Sequence, residues 1–433
     1  MIKDKINQIL VRGAFYSFFT KGVGTGIVFF SQVLLARLLG SKEYGYFSYG
    51  LSWLYIITIF AQAGMPNAVM RLIPEYAVRQ DWYRLKGVLK FSVLSVLFIS
   101  FILALIGCLA LLFLKNKIDL QQIYVLGVIF FVLPFFAVLR VLQANLAGFK
   151  HVAMAQIPEH IARPLILCLV TILIFIVYSD KTTGWQAMIA NMVGIGFSML
   201  IAFLFLSRSI PSQIYEIAAH YEKKKWLAIS FPMMLMGGMN IVLTHSPVIF
   251  LGLYRSPESV ALYSAATRIS SLVIFALLAI NAIAAPLIAE LFFSDKKDAL
   301  NKMLKLIAQI NFTLTGLTVL VLVVYGERVL NLFGLEFVSA YNALTVLLIG
   351  QIGNALAGPV GLLLNMTGHQ NSSAKIMLLS LILSIVACFG LIPRYGVMGA
   401  SVASALSVIL WNGLMLGFVI KRLKINPTIL ARV

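Results

Sequence analysis

Four basic residues stand inside otherwise apolar stretches of this chain: Lys21, Arg140, Arg163 and Arg268. An ionisable side chain at membrane depth costs about 2.5–3.5 kcal/mol even on the lenient insertion scale, so each should face a partner or a water-filled space. Arg140 and Arg163 fall near the ends of their stretches, where a long side chain can also reach the interface. Lys21 and Arg268 lie deeper. Lys21 shares a helical face with Ser17, Thr25 and Gln32, and Arg268 shares one with Ser264 and Ser271. His245 is either a polar packing group or a proton carrier. The acidic residues lie elsewhere: Glu159 and Glu290 are near stretch ends, and the rest are in connections. Cations without carboxylates suit an anionic ligand, Arg through its planar donor fork and Lys as a point charge. The amides Asn281, Gln351, Asn354 and Asn365 either line a polar cavity or bridge helices.

The elements that carry these residues follow from composition. The chain has 433 residues, 61% hydrophobic and 11% charged, too few polar residues to cover a soluble protein of this length. Apolar runs long enough to cross about 30 Å of hydrocarbon recur from end to end. They are continuous rather than alternating, which selects helices over a barrel. The expected spans are 12–36, 44–68, 87–114, 121–145, 157–178 and 184–207, then 226–252, 260–290, 304–325, 339–366, 375–393 and 398–420. The first is expected to be retained, because no short core with a cleavage site precedes it. Pro66, Pro134, Pro164, Pro232, Pro247, Pro286 and Pro359 lie within or near spans, where each can kink a helix.

A net charge of +19 raises the question of nucleic acid. The distribution answers it: alternate connections and the two ends hold 22 of the 34 basic residues, the opposite connections 8. That asymmetry puts both termini in the cytoplasm and removes the need for a nucleic-acid partner. Cys108, Cys168 and Cys388 all fall in apolar stretches and read as small core hydrophobes. No metal-ligand spacing is present, and no cofactor is expected.

The two halves echo each other. Ser41-Lys-Glu43 matches Ser256-Pro-Glu258, Glu75 matches Glu290, and Leu85–Lys90 resembles Leu300–Lys305, all at one offset. Asn145-Leu-Ala-Gly148 resembles Asn365-Met-Thr-Gly368 at a slightly larger one. The expected fold is therefore an all-α polytopic membrane protein of about twelve transmembrane helices, in two six-helix lobes related by a parallel repeat. The lobes are expected at 1–210 and 226–433, joined by a basic cytoplasmic linker at 211–225. In such a repeat Lys21 and Arg268 would be cationic points beside a central cleft.

At the junction of the first two spans the sequence reads Leu35-Ala-Arg37-Leu-Leu-Gly40-Ser-Lys-Glu43-Tyr-Gly45-Tyr-Phe47, followed by Gly64-Met-Pro-Asn67-Ala, then Arg71 and Glu75-Tyr76. This pattern resembles the Wzx-type oligosaccharide flippases, the polysaccharide transporter branch of the multidrug/oligosaccharidyl-lipid/polysaccharide exporter superfamily. The resemblance implies a bacterial inner-membrane protein that translocates undecaprenyl-diphosphate-linked repeat units for O-antigen, capsule or exopolysaccharide. It also implies a cationic cavity, which maps onto Lys21 and Arg268 with Arg140 and Arg163, and polymerase and chain-length partners in a polysaccharide pathway. His245, Gln32, Asn281 and Asn354 are the candidate polar or proton-linked members.

Two other classes compete. A cation-coupled small-molecule exporter of the multidrug and toxin extrusion type predicts a functional carboxylate at membrane depth. A membrane enzyme of polymer assembly predicts catalytic residues in a sizeable outside loop, and these loops are short.

Overall fold

The computed structural model describes residues 2–116, 119–178, 182–214 and 216–429, with side chains from residue 22 onward apart from 275–279, 282–283 and 286. Every regular element among these residues is helical, and nine stretches are long and apolar enough to cross a membrane. The chain is an all-α, multi-pass membrane protein. It divides into two compact units, Met1–Ile241 and Val242–Val433.

In the first unit the order is α1 (Ile2–Gln62), α2 (Met65–Val78), α3 (Trp82–Leu114), α4 (Leu120–Gly148), α5 (Val152–Ile157), α6 (Arg163–Tyr178) and α7 (Gly184–Ser209). The division between units falls inside α8 (Lys223–Tyr254). The unit is built around α4, which packs against α1, α2, α3 and α7. Val125, Ile129, Leu133 and Phe136 of α4 are fully buried there. The outer faces of α3 and α6 expose Phe98, Phe113, Leu173 and Ile176 instead. A helix apolar on all sides buries one face in protein and leaves the other to lipid.

One bend falls where the first two expected spans join, and one break falls inside the second. α1 contains the first span and most of the second, bent at Gly40 (φ 71°, ψ 172°). The expected helix 44–68 stops at Gln62, because Ala63 and Gly64 are both left-handed (φ 45° and 75°) and Pro66 opens the next helix. Beyond the bend, the recognised motif is a structural knot. The Glu43 carboxylate accepts from the Gly184 N–H at 2.7 Å and so satisfies the start of α7. The Tyr44 hydroxyl donates to Gln32 at 3.1 Å, and Tyr46 donates to Asp119, the residue preceding α4. Tyr44 and Phe47 are fully buried.

The second unit contains α9 (Pro257–Phe293), α10 (Lys297–Asn331), α11 (Tyr341–Ala357), α12 (Val360–Met366) and α13 (Gln370–Phe418). Here α11 is central, packing on α9, α10 and α13. The expected single span 339–366 is two helices, parted at Gly358 (φ 72°, ψ −166°) and Pro359. Spans 375–393 and 398–420 run together in α13 through a sharp turn at Gly396 (φ 56°, ψ −126°), just after Pro393. Arg255 secures that turn: its guanidinium donates to the carbonyls of Ile392, Pro393 and Arg394 at 3.4, 2.6 and 3.1 Å. Cys388 is buried as expected of a core residue, whereas Cys108 lies on an exposed apolar face.

Candidate functional site

The membrane-embedded charges of the first unit converge on a distortion in the helix. Residues Pro158–Ala162, between α5 and α6, form one π-helical turn. The Pro158 ring lacks an N–H, and the wider turn that results is a frequent device of functional sites. The turn carries Glu159 and His160 and delivers Arg163 to the interior. α7 holds it in place, as the Ser198 hydroxyl donates to the Pro158 carbonyl at 2.7 Å. Gly24 of α1 packs so closely that a Cβ there would stand 2.7 Å from that of His160.

Arg140, near the end of α4, donates from Nη1 to Oε2 of Glu159 at 2.6 Å. The Glu159 side chain is 12% exposed and that of Arg140 39%. Arg163 is nearly enclosed, at 7%. Its Nε donates to Oδ1 of Asn191 at 3.0 Å and its Nη1 to the Tyr55 hydroxyl at 3.4 Å. Its guanidinium carbon lies 4.9 Å from the centre of the Phe136 ring, a cation–π distance. Arg163 thus combines neutral hydrogen-bonding partners with an aromatic face, while Arg140 is neutralised by Glu159. The cluster holds two guanidiniums to one carboxylate.

The second unit offers a smaller set. Arg268, on α9, is half-buried and is an electrostatic neighbour of His245 on α8. No ion pair joins Arg163 or Arg268 to a carboxylate among the described residues. Ser264, one helical turn before Arg268, is buried with no partner for its hydroxyl, as is Ser246 beside His245. Asn281 has an unsatisfied buried carbonyl oxygen farther along α9. Asn354 is half-buried on α11, and Asn365 is exposed on α12. Lys21 lies outside the residues whose side chains are described. Gln32 is buried beneath Tyr44. Arg37 and Arg71 are exposed, Gly45 is buried, and Glu75 pairs with Arg79 at 3.3 Å.

Sequence reasoning missed Asn191, Tyr55 and Phe136, which lie far from Arg163 in the chain and carry no motif. It also missed a second polar knot on the side that the basic loops assign to the cytoplasm. There Glu222 pairs with Arg84 at 3.1 Å and Lys225 at 3.1 Å, and accepts from the Tyr76 hydroxyl at 3.4 Å. The buried Trp226 indole donates to that hydroxyl at 3.0 Å. His220 N–H donates to the Tyr83 carbonyl and Lys86 to the Ile217 carbonyl, so the segment before α8 is laid along the start of α3.

Comparison with known proteins agrees with this architecture. Over 93% of its length the chain is 24% identical to a putative O-antigen transporter of Shigella flexneri, covering 95% of that protein. It is 27% identical to stage V sporulation protein B of Bacillus subtilis, but only over 41% of this chain and 35% of that one. Among solved structures, an inward-facing multidrug resistance MATE family transporter of the MOP superfamily superposes with a TM-score of 0.74 at 13% identity, over 93% and 94% of the two chains. The lipid II flippase MurJ, inward closed, gives 0.69 at 15% identity, over 93% and 87%. At these identities the likeness is one of fold. The family model described as polysaccharide biosynthesis protein matches residues 10–292, and on that match the chain belongs to the polysaccharide biosynthesis protein family.

Proposed function

We propose that this protein is a transporter and not an enzyme, and that it flips polyprenyl-diphosphate-linked oligosaccharide units across the cytoplasmic membrane for a surface polysaccharide. The observation that carries the reading is Arg163: a guanidinium at membrane depth, 7% exposed, held by neutral partners, in a chain of a polysaccharide family. A fixed positive charge there attracts an anionic head group, and the neighbouring amides and hydroxyls suit sugars. The diphosphate and sugar would enter from the cytoplasmic side while the polyprenyl tail stays in lipid. Arg163, Arg268 and Lys21 would contact the diphosphate, with Arg140 poised by Glu159. Rocking of one lobe against the other then presents the head group outside. The membrane potential assists, since moving one charge through 100 mV is worth about 2.3 kcal/mol.

The multidrug-exporter reading keeps one observation in its favour, the buried Glu159, but Arg140 already neutralises that carboxylate. The test is the sidedness of lipid-linked oligosaccharide in a deletion strain, probed with a membrane-impermeant lectin. Intermediates confined to the cytoplasmic face, and restored outside by complementation, are expected. Normal sidedness with altered sensitivity to cationic dyes would contradict the flippase reading.

A further inference from the structure

Arg163 is aimed by a helix that does not carry it. Asn191, Gly194 and Ser198 stand on one face of α7, each a near-whole number of helical turns from the next. Each meets a different part of the π-helical turn or of Arg163. Asn191 accepts the Arg163 Nε–H at 3.0 Å. Gly194 lies against the Arg163 backbone, where a Cβ would stand 2.9 Å from the carbonyl oxygen. The Ser198 hydroxyl donates to the Pro158 carbonyl at 2.7 Å. Asn191 and Ser198 are fully buried. The Pro158 carbonyl also accepts the Arg163 N–H, the bond that closes the turn. Its two lone pairs are thus divided between the turn and α7.

This double docking is specific to one register. In an α-helix, residues as far apart as Pro158 and Arg163 lie about 140° apart around the axis. In a π turn the i→i+5 bond stacks them, so both meet the same face of α7. We propose that Ser198 and Gly194 are positioning residues for transport. By docking the two ends of the turn on α7 they hold the π register, and that register keeps Arg163 among Asn191, Tyr55 and Phe136. A return to the α register would turn the Arg163 side chain about 100° away from Asn191. Neither Ser198 nor Gly194 needs to touch the cargo. Their part in transport rests on the flippase reading; the register they hold does not.

The register is read without transport from the nuclear magnetic resonance of the Arg163 Nε–H in isotope-labelled full chain, identified by its loss in Arg163→Lys. In wild-type protein this proton should exchange slowly with solvent. Ser198→Ala should speed its exchange about fivefold, the weight of one neutral hydrogen bond. Gly194→Ala should act in the same direction although it raises helix propensity, because its methyl meets the Arg163 carbonyl. The control is Thr171→Val, which removes another fully buried hydroxyl of α6, one bonded to the Leu167 carbonyl at 2.8 Å. It should leave the exchange unchanged. In liposomes carrying a polyprenyl-diphosphate-linked oligosaccharide, Ser198→Ala should slow flipping about fivefold, and Thr171→Val should flip like wild type. Added to Arg163→Lys, where the geometry is already lost, Ser198→Ala should have little further effect. Exchange unchanged in both α7 variants, or raised equally by Thr171→Val, would overturn the register. Full multiplication of the two losses in the double variant would overturn the positioning role. Wild-type protein that does not flip the lipid would overturn the flippase reading and the transport role with it, while the exchange measurements still decide the register.

Discussion

Arg140 on α4 and Glu159 in the π-helical turn are joined at 2.6 Å, with Glu159 the more deeply enclosed partner. The pair holds the turn in register with α4, and so sets where Arg163 begins α6. Removing one member of a buried pair leaves the other charge uncompensated, which is costlier than removing both. Arg140→Ala should therefore lower stability by about 2–3 kcal/mol, somewhat below the fully buried range because Arg140 is partly exposed. Replacing both residues by Met should recover much of that loss. Thermal unfolding in detergent measures both; equal losses in single and double variants would show that the pair is not coupled.

Arg163 does more than carry charge, because its planar fork binds Asn191 and Tyr55 while its face lies on Phe136. Lysine keeps the charge and loses the geometry. Arg163→Lys should reduce polymer export about tenfold, given roughly 1–3 kcal/mol for a lost charged hydrogen bond. Arg163→Ala should abolish export at normal membrane abundance. Full activity in Arg163→Lys would reduce the residue to a point charge.

Burial works to raise the pKa of Glu222, but Lys225, Arg84 and the Tyr76 hydroxyl outweigh it and hold the carboxyl below its usual range. A depressed carboxylate pKa stabilises the folded state above the ordinary value, and that contribution is lost as pH falls through the lowered one. Attachment of segment 217–226 should thus persist through pH 4.5 and loosen only below it. Hydrogen exchange of those amides against pH reads this out; in Glu222→Gln the pH dependence should vanish.

The breaks at Gly40 and Gly358 are structural requirements of another kind. Both have positive φ with ψ near ±180°, a region open essentially to glycine alone. Gly358 also lacks room, since a Cβ would stand 2.3 Å from the Pro427 carbonyl oxygen. Gly358→Ala should cost about 1–3 kcal/mol from backbone strain, with more from the clash. Gly40→Ala should cost about 1–3 kcal/mol from the same backbone strain, and thermal unfolding measures both losses.

The sequence exposed the helices more readily than the site. Long apolar runs have no soluble alternative, so their existence was legible from composition. Their breaks were half legible: Gly64-Met-Pro and Gly358-Pro359 carry the signals that end and restart a helix, but the mean hydropathy runs straight through both. Glu43 and Tyr46 were visible as a motif, yet their partners, Gly184 and Asp119, are fixed only by the packing of α4 and α7 on α1. Arg163 was found because a charge in an apolar run is conspicuous. Asn191 and Phe136 are unremarkable in sequence and acquire meaning only when a π-turn points Arg163 at them.

The central claim is that a cation-lined path in this chain moves an anionic lipid-linked sugar. Its most direct test is reconstitution of purified protein into liposomes carrying a polyprenyl-diphosphate-linked oligosaccharide with a fluorescent sugar, followed by quenching from outside. Wild-type protein should equilibrate the label between leaflets, while Arg163→Ala and Arg268→Ala should leave it where it was inserted. Label that stays put with wild-type protein, or moves equally with both variants, would contradict the account.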